Sequence, residues 1–343
     1  MGQAPRALPF FIITAVLLIG LSMAALVLGP ADITLGQTME ILRDGPDGTL
    51  GQTYSASQRY IIWNLRLPRV LTATVAGMVL AVAGVVFQAL FRNPMADPYV
   101  LGISSGAAFG VAFAAFLGLV SGATGAWSVP LAAFSGAIGA AFIIFTLAGG
   151  VRRSPVTLLL TGIALNFLLS ALMTLFMYLN RSQLQSILQW TLGSFGTASW
   201  NKLLILFVCS LIGIAPLFLM TRELDILLLD EQSGLSVGVP LRTIRFILLL
   251  LSTLITAVTV SFCGVIGFVG LMVPHIVRLI IGPRHRQLLI CSMVGGAVMM
   301  VGADTIARTV LGASELPVGV ITSLAGAPLF IMLLVNHHKG VTR

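Results

Sequence analysis

Long apolar runs separated by short polar stretches set the pattern of this chain. The runs fall at 8–28, 67–91, 101–120, 128–149, 156–179, 203–220, 244–262, 265–281, 287–307 and 318–335. About 20 consecutive apolar residues carry a helix across a bilayer. The pattern therefore predicts an all-α, polytopic membrane protein of about ten transmembrane helices, read as a single transmembrane domain over residues 1–343. The seventh and eighth runs are joined by glycine-rich sequence. As one helix, Ile244 to Ile281 would extend about 57 Å, far beyond a bilayer. Gly264, Gly267 and Gly270 allow a tight reversal instead. The first run follows Arg6 and looks like a signal peptide. It is about long enough to span and lacks a clean A-x-A site, so it is read as the first span.

Composition agrees with this reading. The chain is 57% hydrophobic and only 9% charged, against about 25% charged in soluble domains. A net charge of +8 raises the question of nucleic acid. The basic residues are scattered in short loops, as anchoring charges are, and no nucleic-acid partner is expected. With the N-terminus inside, twelve Lys and Arg fall on the cytoplasmic side and seven outside, which predicts N-in and C-in. Arg66 and Arg69, in LRLPRVLTATVAG (65–77), lie outside against that trend. Cys209, Cys263 and Cys291 sit in separate apolar runs, with no CxxC pair, so no metal site or disulfide framework is expected.

The runs are rich in small residues, as in AGMVLAVAG and FSGAIGAAF, which let helix backbones approach in lipid. Pro94, Pro98, Pro130, Pro216, Pro274 and Pro328 fall in or beside spans and are expected to kink or break several. GVVFQALFRNP (84–94) and GVIGFVGLMVP (264–274) echo each other and are read as oppositely directed, like an inverted repeat.

No G-x-x-x-x-G-K-[ST] occurs, so a nucleotide is not cradled that way in this chain. GISSG (102–106) fits G-x-S-x-G, with Ser104 as a conceivable nucleophile and His275 as its base. That chemistry needs a strand–turn–helix elbow, and the surroundings read as apolar helix. In FRNPMADPYVLGISSGAAFG (91–110), Pro94 and Pro98 stop a helix. Asn93 and Met95 then either form a plain turn or point into a constriction. DILLLDEQSGLSVGVPLRTIR (225–245) is the longest cytoplasmic loop. A short amphipathic helix from Asp225 to Leu235 would expose several leucines, which favours a partner interface. Asp304 and Arg308 are four apart near the outer end of the ninth span, the spacing of an intrahelical ion pair, and Glu315 follows. With Arg66 and Arg69 they suggest an outer rim holding three arginines.

LRLPRVLTATVAG, QALFRNPMADPYVLGISSGA, GVIGFVGLMVPHIVRLIIG and ELPVGVITSLAGAPLFIMLL together resemble the FecCD-type permeases, from the first span to the last. These are membrane subunits of type II ABC importers for iron-siderophores, haem and cobalamin. The resemblance implies a homodimer in the bacterial inner membrane, in contact with lipid. Two ATP-binding subunits would lie below it, and one external substrate-binding protein would dock from outside. ATP and Mg would sit on the partner ATPase, and no cofactor in this chain. The resemblance also implies residue roles. Arg66, Arg69 and Arg308 would pair with glutamates of the binding protein. The loop 225–245 would be the ATPase coupling segment, with Asp230, Glu231, Leu235 and Gly238 in it. Asn93 and Met95 would form a cytoplasmic gate. A second gate would fall at Pro155 and Val156, where RRSPVTLLL departs from the small hydroxyl residues of some members. The path would run between two protomers along the fifth and tenth spans, including TGIALNFLLSALM. The expected activity is permeation of a metal chelate, a ferric siderophore first, with haem and cobalamin as alternatives. A secondary transporter, with Asp304 as its one relay candidate, and an intramembrane serine protease are the readings from other classes.

Overall fold

The computed structural model describes residues 6–47, 54–120, 125–149, 155–228, 240–311 and 315–341. The regular structure among the described residues is all helical, with no strand among them. Helix α1 (Ala7–Val27) is followed by the short helices α2 (Leu35–Asp44) and α3 (Ala56–Tyr60). A π-helical stretch, Ile61–Arg66, leads without a break into α4 (Leu67–Leu90). Then come α5 (Ile103–Phe116), α6 (Gly125–Leu147), α7 (Pro155–Leu179), α8 (Leu184–Thr191) and α9 (Trp200–Leu219). The chain closes with α10 (Thr221–Leu227), α11 (Leu241–Cys263), α12 (Val269–Ile281), α13 (His285–Thr309) and α14 (Val318–Val341). Every expected span has its helix. Seven are long and apolar enough to cross a membrane, and α5, α12 and α14 supply shorter apolar helices. The small helices α2, α8 and α10 lie in loops whose polar character hid them.

Helix α4 is the centre of the bundle and packs against α1, α9, α11, α12 and α13. All its residues from Val79 to Leu90 are buried. Lipid tails are as apolar as leucine, so helices associate in a bilayer by close packing rather than by hydrophobic expulsion. Small residues make that packing possible here. A Cβ on Gly84 would lie 1.8 Å from the Gly270 carbonyl oxygen of α12, and one on Gly77 would lie 2.2 Å from that of Gly296 in α13. The same device joins α5 to α6. A Cβ on Gly106 would lie 2.5 Å from the Gly136 oxygen, and one on Gly110 would lie 2.2 Å from that of Ala132. GISSG is therefore the start of a small-residue seam. Its Gly102 begins α5 in the left-handed conformation (φ 70°), with no strand before it, and Ser105 Oγ donates to Asn166 Oδ1 at 2.5 Å.

The expected reversal between the seventh and eighth spans is present. Gly264 (φ 72°) ends α11, but the second left-handed residue is Phe268 (φ 70°), not Gly267 or Gly270. A left-handed phenylalanine is sterically disfavoured. Its ring lies against Gly326 of α14, where a Cβ would come within 2.5 Å of it. The proline expectation holds in part. Pro94 and Pro98 fall in the break between α4 and α5, whereas Pro130, Pro216, Pro274 and Pro328 stay inside helices. The two echoing stretches meet, with Gln88 Nε2 donating to the Leu271 oxygen at 3.0 Å. The inverted-repeat reading is corrected: α4 and α12 are the second and eighth of ten spans, so alternation runs them the same way.

Candidate functional site

Polar chemistry is concentrated at the two ends of the bundle. At one end, α1 finishes, α4 begins and α13 finishes. The last four carbonyls of a helix have no partner within it. In α1 the Ala24 oxygen takes the Leu28 N–H at 2.8 Å, and arginines take the other three. Arg308 Nη2 donates to Ala25 at 2.5 Å, and Arg66 Nη1 donates to Leu26 at 2.7 Å and Val27 at 2.8 Å. Arg66 Nη2 reaches on to the Ala31 oxygen at 2.8 Å. Cations at a helix C-terminus also oppose its negative dipole end. Beside this cap, Arg69 grips two carboxylates. Its Nε and Nη2 donate to Asp304 at 2.8–3.0 Å, and its Nη1 donates to both oxygens of Glu315 at 2.9 Å. Arg308 Nε lies 3.5 Å from Asp304 Oδ2, the ion pair that the spacing of four suggested.

This geometry corrects the picture of three arginines displayed on a rim. Arg66, Arg69 and Arg308 are 5%, 9% and 4% exposed, and their donors are directed to this chain's own acceptors. Sequence shows that guanidinium groups stand at a span's mouth, but not that the end of another helix lies waiting for them. Glu315 is the open member of the group, with its side chain 42% exposed. It also lines a cavity of about 620 Å³ between α6, α8, α9, α11 and the segment just before α14, together with Trp190, Lys202, Phe262 and Cys263.

At the other end, the turn after α4 is knit closely. Arg92 takes a left-handed conformation (φ 47°) and its Nε donates to the Leu227 oxygen at 2.8 Å. Asn93 Oδ1 accepts the Met95 N–H at 2.9 Å, so the Asn93 side chain braces its own turn, while Met95 is 36% exposed. Asp97 Oδ1 accepts the Tyr99 N–H at 2.8 Å, and burial pushes its carboxyl up to about 6 against that bond. Tyr99 Oη donates to the Ile266 oxygen at 3.0 Å and ties this turn to the break before α12. Of the second expected gate pair, Pro155 opens α7, where a proline's missing N–H costs nothing, and Val156 is exposed.

Of the expected amphipathic helix over Asp225 to Leu235, only Asp225 to Leu228 falls among the described residues. Helix α10 covers Thr221–Leu227, and Asp230, Glu231, Leu235 and Gly238 lie outside the described residues. Sequence reasoning missed the tie from α10 to α13, where Asp225 Oδ1 accepts the His285 N–H at 3.1 Å and stands 2.6 Å from its Nδ1. The acidic start of the loop was a signal for one half of that pair; nothing marked His285.

A bundle of about ten apolar helices with ion pairs gathered at its ends defines a polytopic membrane protein. Residues 16–336 match the FecCD transport family. A hemin transport system permease of Yersinia pestis is 40% identical over 294 residues, which is 85% of this chain and 88% of that one. A vitamin B12 import system permease of Klebsiella pneumoniae is 41% identical over 289 residues, covering 83% and 86%. A solved inward-facing structure, described as of metal-chelate ABC transporter type, superposes with a TM-score of 0.82 at 33% identity, covering 95% of this chain and 98% of its own. The chain belongs to the FecCD transport family. It is the permease subunit of a type II ABC importer, does not itself catalyse, and depends on a partner ATPase to bind ATP. The protease reading of Ser104 and His275 is thereby set aside.

Proposed function

We propose that two copies of this permease form the path for a metal chelate, a ferric siderophore first, with haem and cobalamin in the same class. One observation carries the reading. Helix α7 buries one stripe, Leu158, Gly162, Leu165, Leu169 and Met177, flanked by half-buried residues, and leaves another side exposed. That open side mixes Ile163, Phe167 and Leu168 with the small residues Ala164, Ser170 and Ala171. Lipid alone asks for no such small residues among the large ones, whereas a second copy and a wide, weakly binding conduit do. The hemin and vitamin B12 relatives support a bulky chelate as cargo. In this reading the α1 C-terminal end faces outward. An acidic binding protein docks there by competing with exposed Glu315 for Arg69, a contact that salt weakens. The segment after α10 meets the ATPase, and the turn at Asn93 and Met95, with Pro155 and Val156, gates the inner exit.

The test is co-purification from the native membrane, followed by binding of labelled ferric siderophore, haem and cobalamin to the recovered external protein. Recovery of an ATPase and a binding protein that retains one chelate is expected. A binding protein that retains none of the three, or a permease recovered alone, overturns the chelate reading.

A further inference from the structure

Helix α10 is joined to the bundle by one polar tie to α4 and another to α13. Arg92 Nε, just past α4, donates to the Leu227 oxygen at 2.8 Å. Asp225 holds His285 by both its backbone N–H (3.1 Å) and its ring Nδ1 (2.6 Å). His285 is fully buried and its Nε2 has no hydrogen-bond partner, so among the described residues Asp225 is its one side-chain hydrogen-bond partner, with the Arg278 charge also near. Helix α13 has no cap of its own, because Arg284 in the capping position makes no side-chain bond. A carboxylate from α10 therefore stands at the positive end of a 25-residue helix. That helix runs to Asp304 and Arg308 in the network around the end of α1, packed against α4 on the way. Leu224 and Leu227 of α10 are buried beneath these ties, while the Asp225 side chain remains half exposed. The arrangement is a clasp between the element that leads into the expected ATPase-facing segment and a rod that reaches the opposite end.

We infer that Asp225 is a positioning residue for transport: its clasp on His285 transmits displacement of α10 to α13, and so links ATP turnover to opening of the path. The inference rests on the importer reading above. It is tested with the complete transporter, permease plus ATPase plus binding protein, in proteoliposomes, measuring chelate moved and ATP hydrolysed together. Asp225→Ala is expected to lower chelate moved per ATP about tenfold, the scale of a coupling energy between sites, with hydrolysis nearly unchanged. Asp225→Asn, which keeps an oxygen for the His285 N–H, is expected to retain most coupling. A merely structural role predicts that transport, hydrolysis and thermal stability fall together, and that result overturns the inference. If Asp225→Ala does not assemble, His285→Ala removes the 2.6 Å ring contact and leaves only the backbone N–H bond, and it is expected to lower the same ratio. An inactive wild-type transporter with every chelate faults the chelate reading. An active wild type with fully coupled Asp225→Ala and His285→Ala overturns this inference alone.

Discussion

Helices α4 and α7 are nearly equal in length and both strongly apolar, yet 83% of the most apolar 18-residue stretch around α4 is buried and only 22% of that in α7. Side-chain size accounts for the difference. Helix α4 carries Gly77, Ala81 and Gly84 where α12 and α13 close in, so neighbouring backbones nearly touch. Helix α7 presents one narrow stripe to its own chain and large residues such as Phe167 and Leu168 elsewhere. In a bilayer, hydropathy decides that a helix crosses. Residue size and shape decide whether it faces protein, lipid or a second copy.

The comparison can be broken at several points. Arg69→Ala has the largest expected effect, because it leaves Asp304 buried against Arg308 alone. A loss of about 3–5 kcal/mol is expected in thermal unfolding of the solubilised permease. A change below about 1 kcal/mol, well inside the range for ordinary substitutions, shows that the network does not hold α4 in place. Gly84→Val comes next, at about 3 kcal/mol from forced separation of α4 and α12. Ala164→Val adds two of the same three carbons on the open side of α7 and is expected to move stability by less than about 0.5 kcal/mol. Equal costs at the two sites contradict the contrast. Arg66→Ala strips the bonds to Leu26, Val27 and Ala31 and is expected to cost about 2 kcal/mol, with exchange protection lost first at the end of α1. The smallest effect on stability is expected from Ala171→Trp. It leaves the fold within about 0.5 kcal/mol but reduces dimer recovery and transport. An unchanged dimer with full transport places the α7 face against lipid.

Much of this molecule was legible in the chain before any coordinates. The ten spans follow from hydropathy, since a bilayer demands a helix wherever about 20 apolar residues occur in a row. The i,i+4 pair of Asp304 and Arg308 was legible because both residues lie on one helix. The broken turn at Pro94 and Pro98 was legible because proline has no backbone N–H to donate. The reversal at Gly264 was legible too, but not its dependence on Phe268, whose left-handed backbone is tolerated with its ring against a glycine 58 positions on. The small helices α2, α8 and α10 were missed because their sequences are mixed and short, and a capping box such as Thr34 with Gln37 is easily lost between stronger signals.

The deeper division concerns the arginines. The sequence by itself determined that Arg66, Arg69 and Arg308 stand near the ends of membrane helices, since charge is excluded from the apolar runs. Only the tertiary structure decided which way they face. Arg66 and Arg308 turn to the unpaired carbonyls of α1, about forty and nearly three hundred residues away in sequence, and Arg69 to carboxylates more than two hundred residues on. The physical reason is that an orphan acceptor at a helix end and a buried charge each require a partner, and nearness in space supplies it. The same holds for Asp225 and His285, sixty residues apart. Local pattern sets which segments cross the membrane, and long-range packing sets which of their polar ends meet.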